Sequence, residues 1–372
     1  MKDLVTRYNE AELHGRATVS NRAIEAFALE VFSALGYPFR IGAETELWRY
    51  HDVMQEGRFE QNLRLIRNSE HDFDLVRKTA KQILDFSEHC LPFRSCGKHA
   101  LTRSLYQYQL IIHNRPHDGK LKILEIGPGS GYLGILLAND GHEYFAMDAA
   151  QAFYLYQKKI WSHIFQTDYF DYSESASRPT NPRITHLPWW RFADLSVALP
   201  EIDIVTVNHA LAEMHENAVK LIFSRLYRLW GDNPQRIVLA ESLGYDYFKR
   251  KHKMFESIQE LGFSSAQPQR GVYIWVPDSN EVQRQLTQTR SLPSFWKQAK
   301  TKIFQKMVTG LLKISIGRQL VKMIGRRPLK KSEQTTELSI QVRNLRTFLD
   351  ELVPGELTPD ESFLKYLGQK TF

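Results

Sequence analysis

The chain has 372 residues, with 49 Lys and Arg against 42 Asp and Glu, 42% hydrophobic residues and 2 cysteines, which excludes a disordered chain and a disulfide scaffold. No uncharged apolar run reaches the roughly 18 residues of a bilayer span, and the first residues lack the apolar core of a secretion signal, so a soluble, cytoplasmic protein is expected. The net charge of +7 is uneven: residues 297–331 carry eleven Lys and Arg and no acid, so attraction to anionic partners belongs to that stretch.

Residues 1–115 read as a helical N-terminal domain. Apolar residues recur at spacings of three and four over 18–35, 44–66, 73–86 and 101–112, and a polar turn at Pro116 to Gly119 ends the pattern. The period then changes. Residues 121–126 form a short apolar run leading into glycines, 132–138 is helical, and 142–147 is a second apolar run ending in Asp148. A helix over 151–165 puts Phe153, Tyr156, Ile160 and Ile164 on one face, and a Ser- and Pro-rich loop follows at 173–183. Strands over 202–207, 236–240 and 272–276 alternate with helices over 218–230 and 254–261. Over 116–280 this alternation predicts an α/β fold with a doubly wound, mainly parallel, Rossmann-like sheet. After Pro277 the strand signals stop, and 281–372 reads as a helical, basic C-terminal extension.

Residues 121–134 read Leu-Lys-Ile-Leu-Glu-Ile-Gly-Pro-Gly-Ser-Gly-Tyr-Leu-Gly. A strand that runs into glycines and opens a helix lets backbone approach a ligand closely and presents the N–H groups of the helix start. Asp148 stands 21 residues after Gly127, at the end of the next strand, where a carboxylate accepts from both hydroxyls of a ribose. Gly129, Gly131 and Gly134 spell the G-x-G-x-x-G of dinucleotide-binding proteins, but Glu125 and Gly127 stand where that fingerprint wants an apolar strand. Counting from Gly127 instead puts Tyr132 at the third glycine.

Read as apolar–acid–apolar–G-x-G-x-G, residues 124–131 resemble motif I of the class I S-adenosylmethionine (SAM)-dependent methyltransferases, and the resemblance extends over about 118–277. It implies a class I methyltransferase sheet with SAM as cofactor. It also implies that Glu125 helps hold the methionine amino group, that Gly127, Gly129 and Gly131 pass beneath the cofactor, that Asp148 grips the ribose, and that Met147 borders the adenine. Asp194, ahead of the strand over 202–207, is either an acid that bonds the adenine amino group or a loop cap. The adjacent Pro188-Trp189-Trp190 run is either core packing or a wall of the site.

The reacting methyl of such a sheet lies near the carboxyl end of the strand over 202–207. The following loop, 208–217, holds His209, Glu213 and His215. Histidine titrates near neutrality and suits removal of a hydroxyl proton, so His209 and His215 are candidate general bases, with Glu213 orienting one of them. The structural reading of the same residues is backbone bonding and helix capping. Together with 124–131 and the aromatic helix after Asp148, this loop resembles bacterial sugar O-methyltransferases, with Ala210 in place of that family's serine. The resemblance implies a saccharide or glycoconjugate hydroxyl as acceptor. O- or N-methylation of another small metabolite, and a non-catalytic scaffold at a membrane, remain as alternatives. The Asn-Pro-Pro-Tyr signature for amino groups on bases is absent, which argues against DNA N-methylation.

His89, Cys90, Cys96 and His99 fall close together, but their spacing is not that of a zinc finger, and no metal site is expected. Within 295–316, Trp296, Ala299, Ile303, Met307 and Leu311 recur at helical spacing with lysines opposite. That segment is either a helix docked on the protein's own core or one lying on an anionic membrane surface through 295–331. No RNA-binding module is readable, so nucleic acid is not an expected partner.

Overall fold

The computed structural model describes residues 2–27, 39–51, 63, 65–66, 69–175, 179, 181–211, 214–233, 235–241, 247–265 and 272–277. The C-terminal extension at 281–372, with its basic segment 295–331, lies outside these residues, as do Glu213 and much of the helical patterns read over 18–35 and 44–66.

Ahead of the sheet stand α1 (Leu4–Arg16), α2 (Asn21–Phe27), α3 (Glu70–Cys90) and α4 (Lys98–His113). A reciprocal cap starts α3: Ser69 Oγ accepts from Asp72 N at 3.1 Å, and Asp72 Oδ2 accepts from Ser69 N at 3.0 Å. The pattern expected to be α-helical from residue 44 is a 3₁₀ helix over Glu44–Tyr50. Its Glu46 carboxylate accepts from Gly42 N at 2.9 Å and Ala43 N at 3.3 Å, which winds the entry tightly.

The sheet elements follow in order: β1 (Lys122–Ile126), α5 (Tyr132–Asn139), β2 (Glu143–Asp148), α6 (Gln151–Phe165), β3 (Tyr169–Asp171), β4 (Ile184–Pro188) and α7 (Trp189–Ala193). Next come β5 (Ile204–Thr206), α8 (Glu216–Trp230), β6 (Ile237–Ala240), α9 (Tyr247–Glu260), β7 (Phe263–Ser265) and β8 (Tyr273–Pro277). The strand order is β3-β4-β2-β1-β5-β6-β8-β7. All neighbours pair in parallel except β8, which is antiparallel to β6 and β7. This is the doubly wound, Rossmann-like α/β sheet that the alternation predicts. Ile123 to Ile126 are all buried because helices cover both faces of β1, which explains an unbroken run rather than an alternating one. The order reverses between β1 and β5, and in open sheets of this kind ligands bind beside the carboxyl ends of the strands at such a switch point.

The N-terminal helices pack onto this sheet, and the described residues fall within a single compact unit. Trp189 Nε1 donates to Glu12 Oε1 of α1 at 2.9 Å, and Tyr8 meets Trp190 with ring centroids 5.1 Å apart. A Cβ on Gly15 would lie 2.1 Å from the Trp190 indole, so α1 lies flat on that ring only because residue 15 has no side chain. The Pro188-Trp189-Trp190 run is therefore packing against α1, with both indoles buried. Asn139 at the end of α5 donates to Thr79 Oγ1 of α3 at 3.0 Å. No described helix is long and apolar enough to cross a membrane.

Candidate active site

At the switch point the chain turns from β1 into α5. Gly127, Gly129 and Gly131 all have left-handed backbones, with φ of +73°, +58° and +74°. Gly127 N donates to Met147 O at 2.8 Å, so the loop leaves β1 still attached to β2. A Cβ at Gly127 would meet the Ala210 Cβ at 3.1 Å, which places the loop after β5 directly against the glycine turn. Gly131 is the tightest position. Trp161 Nε1 donates to its carbonyl at 3.1 Å, and a Cβ there would lie 2.7 Å from Trp161 Cζ2. Gly131→Ala adds a left-handed backbone penalty to overpacking against a buried indole, and is expected to cost about 2–4 kcal/mol of stability. Urea unfolding measures this; an unchanged midpoint would contradict the packing described. From above, Ser130 Oγ donates to Tyr50 O at 3.2 Å and Tyr132 OH donates to His51 O at 3.0 Å, so the 3₁₀ segment from the N-terminal region covers the glycine turn.

Two carboxylates flank the turn. Glu125 on β1 is buried, and Tyr144 OH donates to its Oε2 at 2.6 Å. Burial raises its pKa from 4.5 to about 7, with Tyr144 and Asn208 opposing the rise. Asp148 at the end of β2 is also buried, and burial raises its pKa from 3.8 to about 6. Neither has an ion-pair partner within 4 Å among the described residues. Met147 is buried in β2 beside Ile126.

Gln157 of α6, which the sequence did not single out, ties these parts together. Its Nε2 donates both to Gly129 O at 2.7 Å and to Asp148 Oδ2 at 2.8 Å, while Ala150 N donates to Asp148 Oδ1 at 2.9 Å. The amide is held by His186 of β4, whose Nε2 lies 3.1 Å from Gln157 Oε1 and whose Nδ1 lies 3.1 Å from Tyr169 OH. Burial lowers the His186 pKa to about 3, so the ring is neutral, and the chain Tyr169–His186–Gln157 fixes which way the amide faces.

The two histidines after β5 have different partners. His209 has φ +56°, a left-handed conformation rare outside glycine and asparagine, and its Nε2 lies 2.6 Å from Glu241 Oε2 just past β6. Glu241 also receives Arg103 Nη2 from α4 at 3.4 Å, and its backbone N donates to Asn208 Oδ1 at 2.9 Å. The acid beside His209 is thus Glu241, while Glu213 lies outside the described residues. An acid at the end of the 236–240 strand was a readable signal, of the same kind as Asp148; Arg103 had none. His215 is exposed and caps α8, its Nδ1 accepting from Asn217 N at 3.1 Å. Asp194 serves its own turn: its Oδ1 accepts from Ser196 N at 2.9 Å and Ser196 Oγ at 2.7 Å.

No protein-family model matches the chain, and no curated protein matches it. Among solved structures it resembles a TehB-like SAM-dependent methyltransferase from Corynebacterium glutamicum, with 14% identity over 46% of this chain and 87% of the other and a TM-score of 0.33. It also resembles magnesium protoporphyrin IX methyltransferase from Synechocystis with bound SAM, with 12% identity over 64% of this chain and 99% of the other and a TM-score of 0.33. A glycopeptide N-methyltransferase complexed with sinefungin shares 10% identity over 45% of this chain and 83% of the other, with a TM-score of 0.32. Likeness at this level is distant; the function proposed below is supported by the crevice itself.

Proposed function

We propose that this chain is a SAM-dependent methyltransferase acting on a saccharide or glycoconjugate hydroxyl. The observation that carries the cofactor is the pair of buried carboxylates, Glu125 and Asp148, set beside three left-handed glycines where the strand order reverses. Such a site is rich in acceptors, which fits a ligand with an ammonium group at one end and a vicinal diol near the other. A dinucleotide reading leaves Glu125 without a role. Bound SAM supplies an electrophilic methyl group. Glu125 would hold its amino group, Asp148 its ribose hydroxyls and Met147 the edge of its adenine, over the backbone of Gly127, Gly129 and Gly131.

His209 takes the proton of the acceptor hydroxyl. Glu241 accepts the imidazole Nε2–H, which makes Nδ1 the basic nitrogen and stabilises the imidazolium that forms, while Arg103 holds Glu241. A base of this kind suits a hydroxyl acceptor; the saccharide class rests on the resemblance carried by the 208–217 loop. Incubation with methyl-labelled SAM and a panel of saccharides and glycoconjugates tests the proposal. Label located on a hydroxyl oxygen is the expected result, and label only on nitrogen or carboxylate would contradict it. The basic segment 295–331, outside the described residues, would bring a lipid-linked acceptor to the site if it lies on an anionic surface. Sedimentation with anionic but not neutral vesicles is expected, and no binding at low salt would remove that part of the proposal.

Glu125 makes cofactor binding and stability depend on pH in opposite senses. Its folded pKa is raised from 4.5 to about 7, so its ionisation disfavours the empty folded state. That penalty is absent below 4.5, grows as pH rises to about 7, and there amounts to about 3 kcal/mol. An ammonium group needs the carboxylate, so SAM affinity rises over the upper part of the same range. The stability difference between wild type and Glu125→Gln, followed across this pH range, is expected to change by this amount in favour of the variant; a flat difference would contradict it.

A further inference from the structure

We propose that Asp85, His89 and His163 form a binding site for a divalent transition-metal ion of the zinc type, joining α3 to α6. Asp85 and His89 lie four residues apart, on one face of the last turns of α3. His163 comes from the last turn of α6, packed alongside. One donor atom from each of the three lies within 4.8 Å of the others. His163 Nε2 is 2.8 Å from Asp85 Oδ2, and the two imidazoles stack with centroids 6.0 Å apart. A carboxylate facing two imidazoles holds a cation between them: a proton satisfies one contact, whereas a metal ion gathers all three donors.

The surroundings have the form that orients metal-bound histidines, in which the second ring nitrogen is held by a further group. His163 Nδ1 lies 3.6 Å from Cys90 Sγ. His89 Nδ1 lies 2.8 Å from the Asp85 backbone carbonyl. Two imidazoles and one carboxylate, with further positions open to water, are the donor set that zinc prefers. Asp85 and His89 are exposed, so an ion reaches them without any rearrangement. The Cys/His cluster visible in the sequence therefore divides: Cys96 is buried in the core, while His89 and Cys90 meet a histidine far along the chain. A bound ion would staple α3 to α6, the helix whose Gln157 supports Asp148 and the glycine turn.

The site stands independently of the SAM reading, and so does its test. The full chain is stripped with a chelator and titrated with Zn²⁺ by calorimetry, with melting followed in parallel. One ion per chain at this site is expected, with a Tm rise of roughly 5–10 °C at a hundredfold excess over Kd. Replacing a group behind a ligand typically weakens metal binding 10- to 100-fold, so His89→Asn/His163→Asn is expected to weaken it by about 100-fold or more without lowering the zinc-free Tm. Asp85→Asn, at an exposed side chain, gives a second and independent reading. A wild-type chain that binds no Zn²⁺, or binding that both variants retain, would overturn the proposal.

Discussion

Replacing His209 by asparagine is expected to lower kcat by about 10²–10⁴ while SAM affinity stays nearly unchanged. Asparagine is the informative replacement because residue 209 has φ +56°, a conformation asparagine tolerates better than other non-glycine residues. The backbone turn against Gly127 is then preserved, and the carboxamide still offers Glu241 a donor. What is lost is the group that accepts the acceptor's proton. Glu241→Gln is expected to lower kcat in the same direction, because a carboxamide at 2.6 Å from Nε2 neither fixes the tautomer nor stabilises the imidazolium. Turnover with labelled SAM, set against SAM affinity by calorimetry, separates the two quantities. Full activity in both variants would place the base elsewhere.

Asp148→Ala is expected to weaken SAM binding tenfold or more without unfolding the chain. A hydrogen bond to a charged group contributes about 1.5–3 kcal/mol, and the carboxylate is placed to accept from two ribose hydroxyls. The fold survives because Gln157 Nε2 keeps its bond to Gly129 O at 2.7 Å and the glycine turn remains tied to Tyr50 and Trp161. Asp148→Asn, which retains the size of the side chain and one acceptor oxygen, is expected to fall between. Calorimetric titration measures both, and wild-type affinity in Asp148→Ala would contradict the ribose role.

The sheet could be read from the sequence where its strands are buried on both faces. The β1, β2 and β6 segments are short apolar runs ended by glycine or an acid, and α6 matches its 151–165 pattern to the residue. β3 and β7 have three residues each, and β4 carries His186 at its centre, so none of them shows an apolar run. Their pairing comes from neighbouring strands rather than from local pattern. The site divides in the same way. Glu125, the three glycines and Asp148 belong to two consecutive strand ends, and consecutive spacing in the chain is what a motif records. Gln157, Glu241 and Arg103 reach the crevice from three other elements, so their meeting exists only in the folded chain. His209 and His215 are six residues apart and look equivalent in sequence; a left-handed backbone and one carboxylate at 2.6 Å distinguish the first from the second.

A structure of the chain with S-adenosylhomocysteine bound tests the cofactor assignment most directly. The expected result is a ligand over Gly127 and Gly129, with its amino group at Glu125, its ribose hydroxyls at Asp148 and its sulfur facing the His209 side of the crevice. A ligand whose ribose is held by any residue other than Asp148, or one bound away from the glycine turn, would contradict it.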